Sequence, residues 1–248
     1  MAELLPLWES LSVVRGELRL AFTASVEWTG TMSASPELDA LRAELQAKGL
    51  RRDDLLGDPL AQFNSWFQFA IEADLHEPHA MVVSSVGADG MPSSRHVLLK
   101  GFDHGFVFFT NYTSQKGREL IEHPQASICF PWNILSRQVR IVGTVEKVTE
   151  AESDEYFSTR PRGSQIGAWA SHQSDVIADR SVLATRWAEA DQRFDGAEVP
   201  RPPHWGGFRV LPREIEFWQG QPSRLHDRFR YSLDASQPTG WLVERLSP

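Results

Sequence analysis

Two strand-like runs, Ala80 to Val86 and Ser93 to Lys100, flank the turn Gly87-Ala88-Asp89-Gly90, and this pairing limits the fold more than any other feature. A short Gly- and Asp-rich turn between such runs reads as an antiparallel hairpin. The pattern then recurs. Phe106 to Thr110 follows across Asp103-His104-Gly105, and Ala126 to Phe130 and Leu135 to Val148 come after it. In the last run Val139, Ile141 and Val145 alternate with Gln138, Arg140, Thr144 and Glu146, the period of a strand with one buried face. Phe208 to Trp218, Arg224 to Ser232 and Trp241 to Glu244 close the chain as further strands. No β-α-β rhythm repeats and no Gly-x-Gly-x-x-Gly turn is present, which argues against a Rossmann fold. The expected class is mainly β with helices (α+β): a closed or partly closed antiparallel barrel carrying peripheral helices.

Local signals place the helices. Leu38, Leu41, Leu45 and Leu50 have helical spacing, with Gly49 as a stop. Asp58-Pro59 is a capping side chain followed by proline in the first turn, and that helix should run to about Ala73 with Phe63, Trp66, Phe67 and Ala70 on one face. Ser114 can cap a short helix reaching Ile121, with Pro124 beyond it. Thr149 and Glu152 form a capping box for a helix to Ser158. Ser164 to Ala170 and Ser181 to Phe194 also read as helical. Residues 1 to 35 lack a sustained period and read as a poorly ordered extension, leaving 36 to 248 as the folded domain. Met32 is a candidate natural start; the mass of the native protein tests this, and a product that includes Met1 defeats it.

A formal net charge of −8 disfavours a general nucleic-acid or acidic-membrane binder, so any phosphate site must be a local basic patch. The single cysteine, Cys129, excludes an intrachain disulfide and a cysteine-rich metal site. It sits in an apolar run and reads as a buried, inert thiol. No apolar run approaches the ~20 residues of a membrane span, and no signal peptide is recognisable. A reducing cytoplasm fits.

Basic residues cluster in four places. If the chain is a strand from Arg224 onward, Arg224, His226 and Arg228 share one face and repel unless an anion lies against them. Phosphate matches the arginine fork, and Trp218 adds a flat apolar surface nearby. The competing reading is a solvated edge strand whose cations discourage aggregation. Arg95 and Lys100 bracket a second run. Thr110 to Lys116 leads from a strand into a helix N-terminus rich in hydroxyls, a ready phosphate site. Tyr156 and Arg160, four apart, could converge with Ser164, or the arginine could simply pack over the tyrosine ring. No His-Glu-x-x-His, Gly-x-Ser-x-Gly or Walker pattern is present, and no histidine cluster has metal-ligand spacing. Groups for phosphates and planar rings without an obvious nucleophile point to chemistry carried by a bound cofactor.

Several long runs resemble the pyridoxamine (pyridoxine) 5′-phosphate oxidase family: Arg95 to Lys100, Phe130-Pro131-Trp132, Arg160 to Trp169, Trp205 to Val210, and Phe217 to Arg228. The similarity covers about Leu50 to Pro248. It implies an FMN-binding split barrel, a Greek-key-like barrel working as a homodimer with flavin at the interface. It implies that Arg95, Thr110, Ser114, Lys116, Gln173 and Ser174 hold the flavin phosphate and ribityl chain. The backbone around Val97 and Leu98 lies against the ring; Lys100, Phe109 and Gln115 fall in the same segments. Trp218 and Arg228 complete the flavin site, and Gln138 reaches it from the other subunit. Lys100, Tyr156, Arg160 and Ser164 take the substrate phosphate, while Arg224 and His226 lie over the pyridine ring as the catalytic pair. The implied reaction oxidises pyridoxamine or pyridoxine 5′-phosphate to pyridoxal 5′-phosphate, with dioxygen becoming hydrogen peroxide. This sequence departs from the family at Gln115, where a second cation is usual, at Phe109, usually tyrosine, and at Leu45, where a tyrosine can cover the substrate; Arg42 is retained. The rivals are another split-barrel flavin or deazaflavin oxidoreductase, which should lack the Arg160–Ser164 and Arg224–His226 sets, and a non-catalytic pyridoxal phosphate or FMN carrier.

Overall fold

The computed structural model describes residues 36–248. The expected extension over 1 to 35 and the candidate start at Met32 lie outside the described residues. Helix α1 (Pro36–Lys48) ends where Gly49 takes a left-handed φ of 68°, the stop its sequence predicts. Helix α2 (Pro59–Glu72) begins as predicted: the Asp58 carboxylate accepts from the amides of Leu60 and Ala61.

Strands β1 (Ala80–Val86) and β2 (Pro92–Leu98) pair as the expected hairpin. A two-residue strand, β3 (Gly101–Phe102), too short to carry a sequence period, pairs with β4 (Phe106–Asn111). Then come α3 (Gln115–Glu122), β5 (Gln125–Trp132) and β6 (Arg137–Lys147). The start of β6 is later than predicted because Asn133–Leu135 is a 3-10 turn and Ser136 is left-handed. Helices α4 (Glu150–Ser158), α5 (Arg162–Ala170) and α6 (Arg180–Arg193) precede β7 (Trp205–Gln219), β8 (Asp227–Leu233) and β9 (Trp241–Arg245). The capping box at Thr149 and Glu152 forms in both directions.

Among the described residues nine strands form one antiparallel sheet in the order β2-β1-β5-β6-β7-β4-β3, with β8 and β9 branching from β7. Strand β7 organises it. One edge of β7 pairs with β6 along most of its length. The other edge is divided: residues 205 to 210 pair with β4, and 214 to 219 with β8. The amide of Lys100 donates to the carbonyl of Val107, so the chain after β2 meets β4 and helps close the barrel. At the β6–β7 bulge Gly143 pairs with Pro212 and Val142 with Glu214, leaving Arg213 as the extra residue. Pro212 has no amide to donate, and bulges are among the few places a sheet accepts proline.

The barrel interior is aromatic. Phe63 on α2 is fully buried against Phe102, Phe106, Phe130 and Trp132 at centroid distances of 4.9–6.0 Å. Truncating such a ring costs about 3–5 kcal/mol. Leu45 is buried in this same core; beside it Arg42 pairs with Asp39 at 2.7 Å. A second cluster, Phe157, Ile166, Phe194, Val199 and Trp205, fixes α4, α5 and α6 to the start of β7. Cys129 is half-buried, not fully buried, because Ala126, Ile128 and Phe130 take the core face of β5. Partial burial still raises its thiol pKa.

Candidate active site

Between the barrel and the second cluster lies a cavity of about 630 Å³. That is a small-ligand volume. The end of β2 (His96, Val97, Leu98), Lys100 and residues 109 to 111 of β4 form one wall. Tyr156, Arg160 and Ser164 line it from the helical side, while Lys116 and Gln173 close one end.

At that end Ser114 caps α3, its hydroxyl accepting from the amide of Gly117. The next residue but one, Lys116, therefore points back over Thr110. Its Nζ donates to Thr110 Oγ1 at 3.3 Å and Gln173 Oε1 at 3.0 Å. The amide of Gln115 donates to Ser174 Oγ at 3.2 Å. Burial and the neighbouring charge of Arg95 bring the Lys116 pKa down to about 8, against an opposing pull from Glu119. An anion here would reverse that. The lysine, the hydroxyls and the helix N-terminus suit a phosphate.

At the other end three rings form a wall. Phe109 stacks on Tyr156 at 4.2 Å and on Trp205 at 5.4 Å. Arg160 lies just past the end of α4, its guanidinium 4.8 Å above Trp205 and 5.5 Å from Phe157. It stacks on these rings, not on Tyr156 as the competing sequence reading had it. Lys100 Nζ is 5.8 Å above the Tyr156 ring. Arg160 Nη1 is buried with no hydrogen-bond partner, and burial lowers the guanidinium pKa. A buried, unpartnered cationic donor lining the same cavity as Lys100, Tyr156 and Ser164 is an arrangement that suits an anion.

The remaining expected residues are elsewhere. Gln138, Trp218 and Arg228 face one another across β6, β7 and β8, forming one row. If Gln138 acts on a flavin from another subunit, Trp218 and Arg228 come with it. Arg228 donates to the buried Glu216 at 2.7 Å, which raises its pKa. The strand assumed from Arg224 begins instead at Asp227. Pro222–Arg224 is a 3-10 turn in which Ser223 and Arg224 have φ of 57° and 60°. Alternation along a strand therefore does not relate Arg224 to Arg228. Arg224 is exposed on the turn, and His226 is placed by two contacts. Its Nδ1 accepts from the amide of Gln221 at 3.1 Å, and its ring lies 4.6 Å from Trp218. Trp205 and Trp218 stand at opposite ends of β7, roughly 40 Å apart along an extended strand. None of Gln138, Trp218, Arg224, His226 or Arg228 lines the cavity.

Arg95 also lies outside the cavity lining, its guanidinium held by Ser85, Ser93 and Glu119. The structure adds His96, Asn111 and Trp205 to the lining. His96 and Trp205 sit inside the family-like runs, so their neighbours were the available signal.

A divided antiparallel barrel, with a phosphate-suited helix terminus at one end of its cleft and Lys100, Tyr156, Arg160 and Ser164 at the other, defines a split-barrel protein with a cleft suited to anionic small molecules. The chain belongs to the pyridoxamine 5′-phosphate oxidase family, whose model matches residues 67–194; a model for the pyridoxine 5′-phosphate oxidase C-terminal dimerisation region matches 205–248. A pyridoxine/pyridoxamine 5′-phosphate oxidase of Acidothermus cellulolyticus is 54% identical over 221 residues, 88% of this chain and 99% of the relative. One of Burkholderia multivorans is 55% identical over 209 residues, 84% of this chain and 97% of the relative. Among solved structures, PhzG from Burkholderia lata 383, in complex with tetrahydrophenazine-1-carboxylic acid, superposes with a TM-score of 0.74 at 35% identity, covering 80% of this chain and 98% of its own. An FMN-binding protein from Nostoc punctiforme shares the fold at TM-score 0.59 and 16% identity, over 74% of this chain and 96% of its own. No described helix is long and apolar enough to cross a membrane.

Proposed function

We propose that this protein oxidises the 4′ carbon of pyridoxamine 5′-phosphate and pyridoxine 5′-phosphate to the aldehyde of pyridoxal 5′-phosphate, with FMN as cofactor and dioxygen as electron acceptor. The observation that carries this reading is the cavity with two separate cationic ends, one of them holding the unpartnered Nη1 of Arg160. Two phosphorylated flat molecules need that arrangement; one does not. FMN supplies a two-electron acceptor that dioxygen can reoxidise. With the amine substrate, the carbon gives up two electrons, water displaces ammonia, and dioxygen becomes hydrogen peroxide.

The chain's own residues position and anchor. Lys116, Thr110, Ser114, Gln173 and Ser174 hold the flavin phosphate and ribityl end, with Arg95 behind them on β2, and the β2 backbone at Val97 and Leu98 supports the ring. Lys100, Tyr156, Arg160 and Ser164 take the substrate phosphate. Phe109 is an aromatic wall behind Tyr156. The working unit is a homodimer, because the row Gln138–Trp218–Arg228 and the pair Arg224–His226 reach a cavity only if a second copy brings them. Arg224 and His226 then orient the reacting carbon, and His226 is placed to handle its proton. Catalysis is chiefly the alignment of two stacked rings. We take residues 36–248 as one oxidase domain working in the cytoplasm, consistent with a single cysteine.

The test is anaerobic mixing of FMN-loaded protein with pyridoxamine 5′-phosphate. Loss of the flavin absorption band supports the reading, and an unchanged band identifies a carrier. The likeness to PhzG favours a second reading, oxidation of a reduced, carboxylated tricycle. Turnover of that class of substrate but not of the phosphorylated pyridines would select it.

A further inference from the structure

We propose that Glu119 acts as an internal counter-anion that competes with the flavin phosphate for Arg95, so that this residue sets FMN affinity; this rests on the flavin reading above. Glu119 lies on α3, one turn after Gln115, and only 8% of it is exposed. Its Oε2 accepts from Ser85 Oγ at 2.5 Å, Ser93 Oγ at 2.7 Å and Arg95 Nη2 at 3.2 Å. Its Oε1 accepts from Gln115 Nε2 at 2.8 Å. The carboxylate is thus solvated by four protein donors. Two of them, Arg95 and Gln115, flank the α3 N-terminus where the phosphate is expected, and both are turned onto Glu119 instead. Lys116, between them in the same region, faces the cavity.

The charges that meet here are Arg95 and Lys116 against Glu119. Glu119 therefore cancels half of the positive charge an incoming phosphate would meet. Burial works against its ionisation, but the two serines, Gln115 and Arg95 outweigh burial and bring its pKa down to about 2, so the charge persists at any working pH. Phosphate binding must draw Arg95 off this carboxylate or do without it.

Glutamine at 119 keeps the shape and an acceptor for Ser85, Ser93 and Arg95 while removing the charge. Apoprotein carrying Glu119→Gln should bind FMN about tenfold more tightly by flavin fluorescence titration, the order expected for one charge a few ångströms away in a partly screened site. Riboflavin, which lacks the phosphate, should bind as before. Adding Arg95→Gln to Glu119→Gln should cancel the gain relative to Arg95→Gln alone. Unchanged or weaker FMN binding by the folded variant, an equal gain for riboflavin, or a gain that survives in the double variant would each overturn the proposal. Should circular dichroism show that Glu119→Gln does not fold, Gln115→Arg decides instead: a new cation on Glu119 should release Arg95 and tighten FMN but not riboflavin, and no tightening would overturn the idea. Wild-type protein that refuses FMN altogether would sink the flavin reading itself, a separate outcome.

Discussion

Lys116 Nζ and Gln173 Oε1 lie 3.0 Å apart, joining the first turn of α3 to the loop after α5 across the mouth of the cavity. The lysine is an ammonium kept among neutral acceptors, and burial and Arg95 bring its pKa to about 8. A bound phosphate dianion favours the charged form, so the complex holds a proton that the empty site loses above pH 8. FMN affinity should therefore be flat from about pH 7 to 8 and fall at higher pH, by up to tenfold per unit. Fluorescence titrations between pH 7 and 10 check this. Lys116→Met should bind weakly with that slope removed, and an equal slope in the variant would assign the proton elsewhere.

Arg160 Nη1 has no partner, whereas the rest of its guanidinium rests on Trp205 and Phe157. A charge-assisted hydrogen bond is worth about 1.5–3 kcal/mol, or roughly 10- to 150-fold in affinity. Arg160→Ala should raise the Michaelis constant for pyridoxamine 5′-phosphate by that range, with a smaller effect on turnover of saturated enzyme. Steady-state kinetics with and without the substrate phosphate separate the two: a dephosphorylated substrate should barely sense the change.

Gly117 shows why the lysine's placement leaves little tolerance. A Cβ at this position would lie 2.5 Å from the Asn111 carbonyl oxygen and closer still to that of Tyr112. Both are backbone atoms at the end of β4 and cannot rotate away. Gly117→Ala should cost about 1–3 kcal/mol by overpacking. It should also weaken FMN binding by displacing Lys116. Thermal melts with and without FMN give both numbers, and a variant that melts and binds like wild type would remove the constraint.

How much was legible in the sequence depended on how local the cause was. The start of α2 at Asp58-Pro59 and the capping box at Thr149 and Glu152 are set within four residues, and both form as read. Thr110 and Lys116 were legible for the same reason, since a strand end and a capped helix bring them together. Arg224 and His226 were misplaced by alternation because Ser223 and Arg224 adopt left-handed conformations that non-glycine residues rarely show. Glu119 is one turn from Gln115, yet its partners Ser85, Ser93 and Arg95 sit on a hairpin that only tertiary pairing delivers. Phe109 likewise became a wall because residues 156 and 205 arrive beside it from distant parts of the chain.

Trp205 and Trp218 terminate one strand, so the cavity and the Arg224–His226 turn occupy opposite ends of β7 in a single chain. On the homodimer proposed above, a complete site would draw Arg160 from one subunit and Arg224 from its partner. Homodimers of Arg160→Ala or of Arg224→Ala should turn over poorly, and Arg224→Ala should keep wild-type FMN affinity. A heterodimer of the two, however, contains one cavity with both defects and one with neither. Tagged subunits, co-expressed and purified as the mixed pair, should regain about half the wild-type rate per dimer, by counting intact sites. If both residues came from the same subunit, each cavity of the mixed dimer would carry one lesion, and its rate would stay near the mean of the two poor homodimers.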